Sequence, residues 1–509
     1  MKNLFKTLFL IPLSLLALSC TDLDEEIKGD FTSDFDPANP GVGIRNNVNG
    51  SSPNDGLSAA FTRVLNGTAN HGSYFSVSEI SSDEAVITQK GGDWFDGGIW
   101  LQTHEHDFNP AQGGINGAWG DLYGGVTQCN IALADGGLDA SGTAQIRMLR
   151  AYFYWKLMDM FGNIKLVTTP GTDVAQTDRA AAFDFIESEL LAAIPDLTAG
   201  RADYGRASQG AAYALLSRLY LNAEVYTGTP MYQEAIDAAD MVINSGNYSL
   251  SPSYADVFAP DNVDNIEHIF IAPFDESTGT GMNIAQMTLH YPSQLTFRLQ
   301  QQPWNGYSTL EDFYNSYADG DDRKENNFIV GPQTDLDGNP ILDLAFDKAD
   351  PDGAPINYTP EINELFPNGS RQAGARLGKF SFKIGQGPEM DNDFPLLRYG
   401  EVLLNKAEAM CRMAGDWNAG TMLVNELRSR ANATPFTTMT ETDFLAERGR
   451  ELFMESLRRT DLIRFDQWGS AWWEKDAHND PNLDIMPIPI EQINASASET
   501  FPLSQNPGY

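Results

Sequence analysis

The chain has 509 residues, 42% hydrophobic and 20% charged, the balance of a folded globular protein rather than a polytopic membrane protein or a disordered one. Its 33 lysines and arginines face 70 aspartates and glutamates, giving a net charge of −37 and a pI near 4.3. That excess argues against nucleic acid or anionic lipid headgroups as ligands over most of the surface and favours neutral or cationic ones. Three cysteines are too few for a disulfide framework.

Lys2 and Lys6 precede an apolar run, Leu8 to Leu18. The run is far shorter than the ~20 residues of a membrane-spanning helix, so residues 1–19 are read as a signal peptide. It ends in Ala17-Leu18-Ser19-Cys20, the shape of a bacterial lipoprotein signal with Cys20 as the acylated residue, although the usual leucine three places before the cysteine is here Ala17. The alternative is an ordinary secretory signal with a chance cysteine. Two or more acyl chains on one residue suffice for stable anchoring. An acidic block, Thr-Asp-Leu-Asp-Glu-Glu, follows at 21–26, and residues 20–60 read as the acylated cysteine with a flexible lead-in, rich in Gly, Asn, Asp, Ser and Pro from residue 27.

Residues 61–250 carry helical periodicity. It predicts helices over 118–134, over 144–161 with Gly162 as terminator, over 178–194 with Pro195 after it, and over 208–226 and 232–243. Residues 251–395 lose the period and are rich in Pro, Gly, Asp, Asn and aromatics; they are read as a loop-rich ligand-binding insert. Residues 396–509 regain it, with helices over 397–413, broken at Gly415, over 417–430, and over about 441–459, where Thr440 and Asp443 have capping-box spacing. Paired helices with alanines where they must approach closely predict an all-α, tetratricopeptide-like scaffold.

Catalytic signatures are scarce: there is no HExxH, GxSxG or complete phosphate-binding loop, and with 70 acids no glycosidase carboxylate pair can be singled out. His104-Glu105-His106-Asp107 offers metal-ligand chemistry, but its spacing suits a polar loop better. Asp335-Leu336-Asp337-Gly338-Asn339 reads as half a calcium loop or as a hairpin turn. Glu447, Arg448, Arg450, Glu451, Glu455, Arg458, Arg459, Asp461 and Arg464 predict a structural ion network in preference to an anion site, with Glu455 and Arg459 paired at i,i+4.

Aromatics carry the functional signal. Asp93, Trp94, Asp96 and Trp100 lie in one glycine-rich, non-periodic stretch, and Tyr291, Trp304, Asn305 and Tyr307 lie in the irregular insert. Sugar rings have apolar C–H faces and hydroxyl edges, so rings flanked by Asp and Asn suit them. Trp94, Trp100, Tyr291, Trp304 and Tyr307 are the candidate stacking residues; Asp93, Asp96 and Asn305 would hydrogen-bond hydroxyls. Each ring serves equally well as a plug between loop and scaffold.

Three runs beyond the lipoprotein-type start at Cys20 bear a family likeness: LLRYGEVLLNKAEAMCRMAG (396–415), ERGRELFMESLRRTDLIRF (447–465) and IMPIPIEQINASASETFPLSQNPGY (485–509). With Trp304-Asn305-Gly306 and Asp322-Arg323, the chain resembles the SusD/RagB family of surface lipoproteins from Bacteroidetes glycan-uptake systems. The resemblance implies a tetratricopeptide-like fold and an outer-membrane, surface-exposed protein without catalysis. It implies capture of oligosaccharide or polysaccharide and delivery to a SusC-like TonB-dependent transporter. It requires no cofactor, although some members bind calcium, and its peptide-binding members leave the ligand class open. The acidic balance favours a neutral glycan. A surface glycoside hydrolase or lyase is the alternative from another class.

Overall fold

The computed structural model describes residues 56–277, 281–344 and 353–509. The signal peptide, Cys20 and the acidic stretch lie outside the described residues. Most helices appear where the periodicity places them; the one expected over 208–226 is interrupted at Asn222, and the one expected over 417–430 opens with a 3-10 turn, Trp417–Gly420. Taken in chain order, the main ones are α1 (Tyr74–Ile80), α2 (Ile99–Glu105), α3 (Gly113–Asp135), α4 (Ala140–Phe161), α5 (Arg179–Ala193), α6 (Gln209–Leu221) and α7 (Tyr232–Ile243). After the insert come α8 (Tyr399–Ala414), α9 (Thr421–Arg430), α10 (Glu441–Leu452) and α11 (Arg458–Arg464).

Local chemistry sets the ends. Asp139, Asp178 and Ser208 each accept a bond from a backbone N–H of the first turn, which fills one of the orphan donors of α4, α5 and α6. Thr440 and Asp443 form the expected capping box. Gly162 and Gly415 end α4 and α8 with φ of 69° and 65°, a region that a β-carbon disfavours. The helices stack in sequence: α3 on α4, α4 on α5, α6 on α7, and α8 on both α7 and α6. Small residues permit the close approaches. A β-carbon at Gly420 would stand 2.7 Å from the Ala407 carbonyl of α8, and one at Gly125 of α3 would strike the Phe153 ring of α4 at 2.5 Å.

The insert is stapled to both helical regions by short strands, β1 (Ala85–Ile87), β2 (His268–Ala272), β3 (Tyr307–Thr309) and β4 (Phe394–Arg398). β1 and β3 pair antiparallel with Ile87 opposite Tyr307, and β2 pairs antiparallel with β4. All described residues fall in one unit, Ile44–Tyr509, so the three regions read from the sequence share one core.

The last expected helix, 441–459, is broken. α10 ends at Leu452, and Met454 and Ser456 take φ of 56° and 59°. Two acids distant in sequence hold the break open. The Glu84 carboxylate accepts the Met454 N–H at 3.0 Å, and that of Glu79 accepts the Ser456 N–H at 2.6 Å. The expected Glu455–Arg459 pairing is therefore replaced. Glu455 bonds Arg398 and Lys379 instead, and Arg459 reaches Asp159 of α4 at 2.7 Å.

Around the break the acidic and basic residues form buried ion clusters, the largest of them through Glu447, Glu451 and Glu455. Arg323, fully buried, contacts Glu447 at 2.8 Å and Glu451 at 3.0 Å; Arg398 contacts Glu267, Glu451 and Glu455 at 2.7–2.9 Å. Burial alone would raise the pKa of Glu447, but Arg323, Arg450 and Arg428 outweigh it and hold the carboxyl down to about 2. Glu408, buried between Arg464 and Arg412, is likewise held down to about 2.

Candidate functional site

The site grows from the β1–β3 ladder. Just after β1, Lys90 and Asp93 exchange backbone hydrogen bonds at 3.0 Å, closing a tight turn. The turn delivers Trp94 at φ 65°, a conformation that a bulky side chain takes only when its surroundings enforce it. Two contacts do so. The indole Nε1 donates to the Trp304 carbonyl at 2.6 Å, and the ring lies on Gly306, where a β-carbon would come within 2.5 Å of it. Trp304-Asn305-Gly306 thus has a local reason: Asn305 supplies a left-handed residue at φ 59° and Gly306 supplies the missing side chain.

Trp94 and Trp304 open on a cleft of about 630 Å³ shared with His71, Asp93, Asp96 and Tyr291. Trp304 is 36% exposed, and Trp94 and Tyr291 are half-buried. The Tyr291 hydroxyl donates to the Asp93 carboxylate, and the Arg371 guanidinium lies 5.6 Å from its ring centroid. Asp93 and Asp96 are exposed. Among the described residues, no lysine or arginine lines the cleft.

His71 is the residue that sequence reasoning missed. Its ring sits 5.1 Å from Trp94, 5.0 Å from Trp100, 6.2 Å from Trp304 and 6.0 Å from Tyr307, centroid to centroid. Its Nδ1 is 3.1 Å from the Tyr307 hydroxyl, which in turn lies 2.6 Å from Ser76 Oγ on α1. Burial depresses its pKa, only partly countered by Asp96, so the imidazole is neutral at neutral pH. A neutral imidazole has one donor and one acceptor nitrogen, which matches a hydroxyl group.

Three of the candidate residues are placed beneath the cleft rather than on it. Trp100 falls in the first turn of α2, is 4% exposed, and donates its indole N–H to Asp96 at 2.7 Å. Tyr307 points inward from β3, fully buried under His71. Asn305 is fully buried, and neither of its amide atoms has a partner among the described residues. These residues frame the cleft; the rings that keep solvent-accessible surface there are Trp94, Tyr291 and Trp304.

The remaining motifs lie outside this cleft. His104 and His106 do not lie in a polar loop: they end α2, buried, bonded to the carbonyls of Trp473 at 2.8 Å and Ser81 at 2.7 Å. No group of three or more metal-ligating side chains occurs among the described residues. Asp335 accepts the N–H groups of Asp337 and Asn339, each at 2.9 Å, in a hairpin turn. Cys129 and Cys411 are free and buried.

Two family models match the chain, "SusD family" over residues 358–509 and "Starch-binding associating with outer membrane" over residues 61–221. The starch-binding protein SusD of Bacteroides thetaiotaomicron is 27% identical over 483 residues, covering 86% of this chain and 85% of that one. Among solved structures, a laminarin-binding SusD-like protein shares the fold with a TM-score of 0.70 at 24% identity, covering 89% of this chain and 98% of that one. Surface glycan-binding protein A from Bacteroides thetaiotaomicron, solved in complex with laminarihexaose, gives 0.68 at 19% identity over 89% of this chain and 98% of that one. The helical-pair scaffold and the matches at both ends of the sequence agree: the chain belongs to the SusD/RagB family.

Proposed function

We propose that this protein is a surface glycan-binding lipoprotein that holds a neutral oligosaccharide or polysaccharide in the Trp94–Trp304 cleft and catalyses no reaction on it. It is anchored through Cys20 at the outer membrane and passes the glycan to a SusC-like TonB-dependent transporter. The observation that carries the reading is the composition of the cleft. Two indole faces and a phenol ring offer apolar platforms, and a neutral histidine with two carboxylates offers partners for hydroxyl groups. A cleft with carboxylates and no cationic side chain in its lining disfavours uronic-acid or sulfated chains. Rigid support under the rings lowers the ordering cost of binding. The relatives named for starch and laminarin binding, and the family description that places starch binding at the outer membrane, support the same role. No described helix is long and apolar enough to cross a membrane.

Affinity electrophoresis through gels containing starch or laminarin tests the reading, with a reducing-sugar assay run on the same mixtures. Retarded migration without release of reducing ends is the expected outcome; release of reducing ends would identify a hydrolase instead.

A further inference from the structure

A second cleft of about 260 Å³ lies between the start of α11 and the irregular segment that follows it, lined by Trp472, Trp473, Phe313, Asp83, Asp312 and Arg458. Its construction repeats that of the first. Trp472 and Lys475 exchange backbone hydrogen bonds at 3.2 and 3.0 Å, a bridged turn like Lys90–Asp93, and the turn carries two adjacent half-buried tryptophans. Neighbouring side chains brace the turn. Lys475 Nζ stands 4.0 Å over the Trp472 ring and donates to the Ser470 carbonyl, while the His106 ring packs 5.2 Å from Trp472. His104 holds the Trp473 carbonyl.

A fixed polar pair also lines the cleft. Arg458 donates through Nε and Nη2 to both oxygens of Asp83, at 2.6 and 2.8 Å, and through Nη1 to the Leu445 carbonyl at 2.9 Å. The Asp83 side chain remains 27% exposed. An Asp–Arg pair presents acceptor and donor side by side, and a sugar hydroxyl is both donor and acceptor. Asp312 is exposed and adds a second acceptor. The volume lies just below the ~300 Å³ at which drug-sized pockets begin, which suits one or two sugar units.

We propose that this cleft is a second, smaller saccharide subsite, taking one or two neutral pyranose units between the Trp472–Trp473 turn and the Asp83–Arg458 pair. The proposal rests on the reading of the chain as a glycan binder. A second grip on the same rigid chain would raise avidity for long polymers over short ones.

The test is fluorine NMR on full-length mature protein labelled with 5-fluorotryptophan. The nine tryptophans are assigned by single replacements with phenylalanine. Laminarihexaose and maltohexaose are titrated into the wild type, Trp94→Ala/Trp304→Ala, and the surface variant Asp312→Ala. The Trp473 resonance should shift saturably in the wild type and in the double variant, and should respond more weakly in Asp312→Ala. Shifts at Trp94 and Trp304 alone, or a Trp473 shift that disappears in the double variant, would overturn the second subsite and leave the first. Absence of any shift would remove both.

Discussion

The buried ion network and the aromatic cleft use polar groups in opposite ways. Around α10, the carboxylates of Glu447 and Glu451 and the guanidinium groups of Arg323 and Arg398 are taken out of water and answered by one another. In the cleft, Asp93 and Asp96 stay in water, and the rings beside them keep part of their surface exposed. Charge buried and paired ties distant segments together; charge left exposed beside indole rings has bonding capacity to offer a ligand. The difference separates residues that build the scaffold from residues that line an open cleft.

The largest effect should come from breaking the network. Arg398→Ala leaves Glu267, Glu451 and Glu455 short of a cation in the interior, and should cost about 3–5 kcal/mol in urea unfolding. The pH response of two sets of acids sharpens the same contrast. Glu447 and Glu408, held down to about 2, contribute stability that is full above the ordinary glutamate pKa of 4.5 and is lost as pH falls toward 2. Glu79 acts in the other direction. Burial, only partly offset by the Ser456 N–H, raises it to about 7, so it lowers stability progressively as pH rises from 4.5 through 7. Glu79→Gln, which keeps an acceptor for Ser456, should therefore raise Tm at pH 8 by the equivalent of roughly 2–3 kcal/mol and change little at pH 4.

In the cleft the same size of change should appear in binding rather than stability. Trp304→Ala should weaken glycan binding by about 2 kcal/mol, ~30-fold in Kd, and alter unfolding by less than about 1 kcal/mol, as read by calorimetric titration and melting. Gly306→Ala tests the support of the platform. Its methyl group must displace the Trp94 ring, so affinity should fall ~10-fold although residue 306 is buried and lies outside the cleft lining. The smallest effect belongs to Asp96→Asn, which preserves an acceptor for the Trp100 N–H. Affinity for neutral glycans should change by a few-fold at most, and discrimination against uronate-bearing ones should relax, most visibly at low salt.

Much of the scaffold was legible because helices announce themselves locally. Periodicity, Asp139, Asp178, Ser208 and Thr440 at N-termini, and Gly162 and Gly415 at C-termini lie within a few residues of what they control. The break at 453–457 was not legible, because the groups that stabilise it, Glu79 and Glu84, lie some 370 positions away in the sequence. The cleft was half legible. Aromatic density in irregular chain pointed to Trp94, Tyr291 and Trp304, but which rings face solvent depends on where α2 and β3 turn Trp100 and Tyr307. His71 carried no local signal, since Asn70-His71-Gly72 resembles any polar loop until the β1–β3 ladder brings Tyr307 against it. The residue before Gly72 that could have raised suspicion is one of only six histidines in the chain.

In the proposed role, the half-buried Trp94 and the exposed Trp304 grip a neutral glycan and leave it unmodified. A glycan-array screen of the soluble mature protein beside Trp94→Ala/Trp304→Ala tests this role most directly. The wild type should bind at least one neutral glycan, and the folded double variant should lose that signal. Equal signals from the two proteins, or a wild type that binds only anionic glycans, would contradict it.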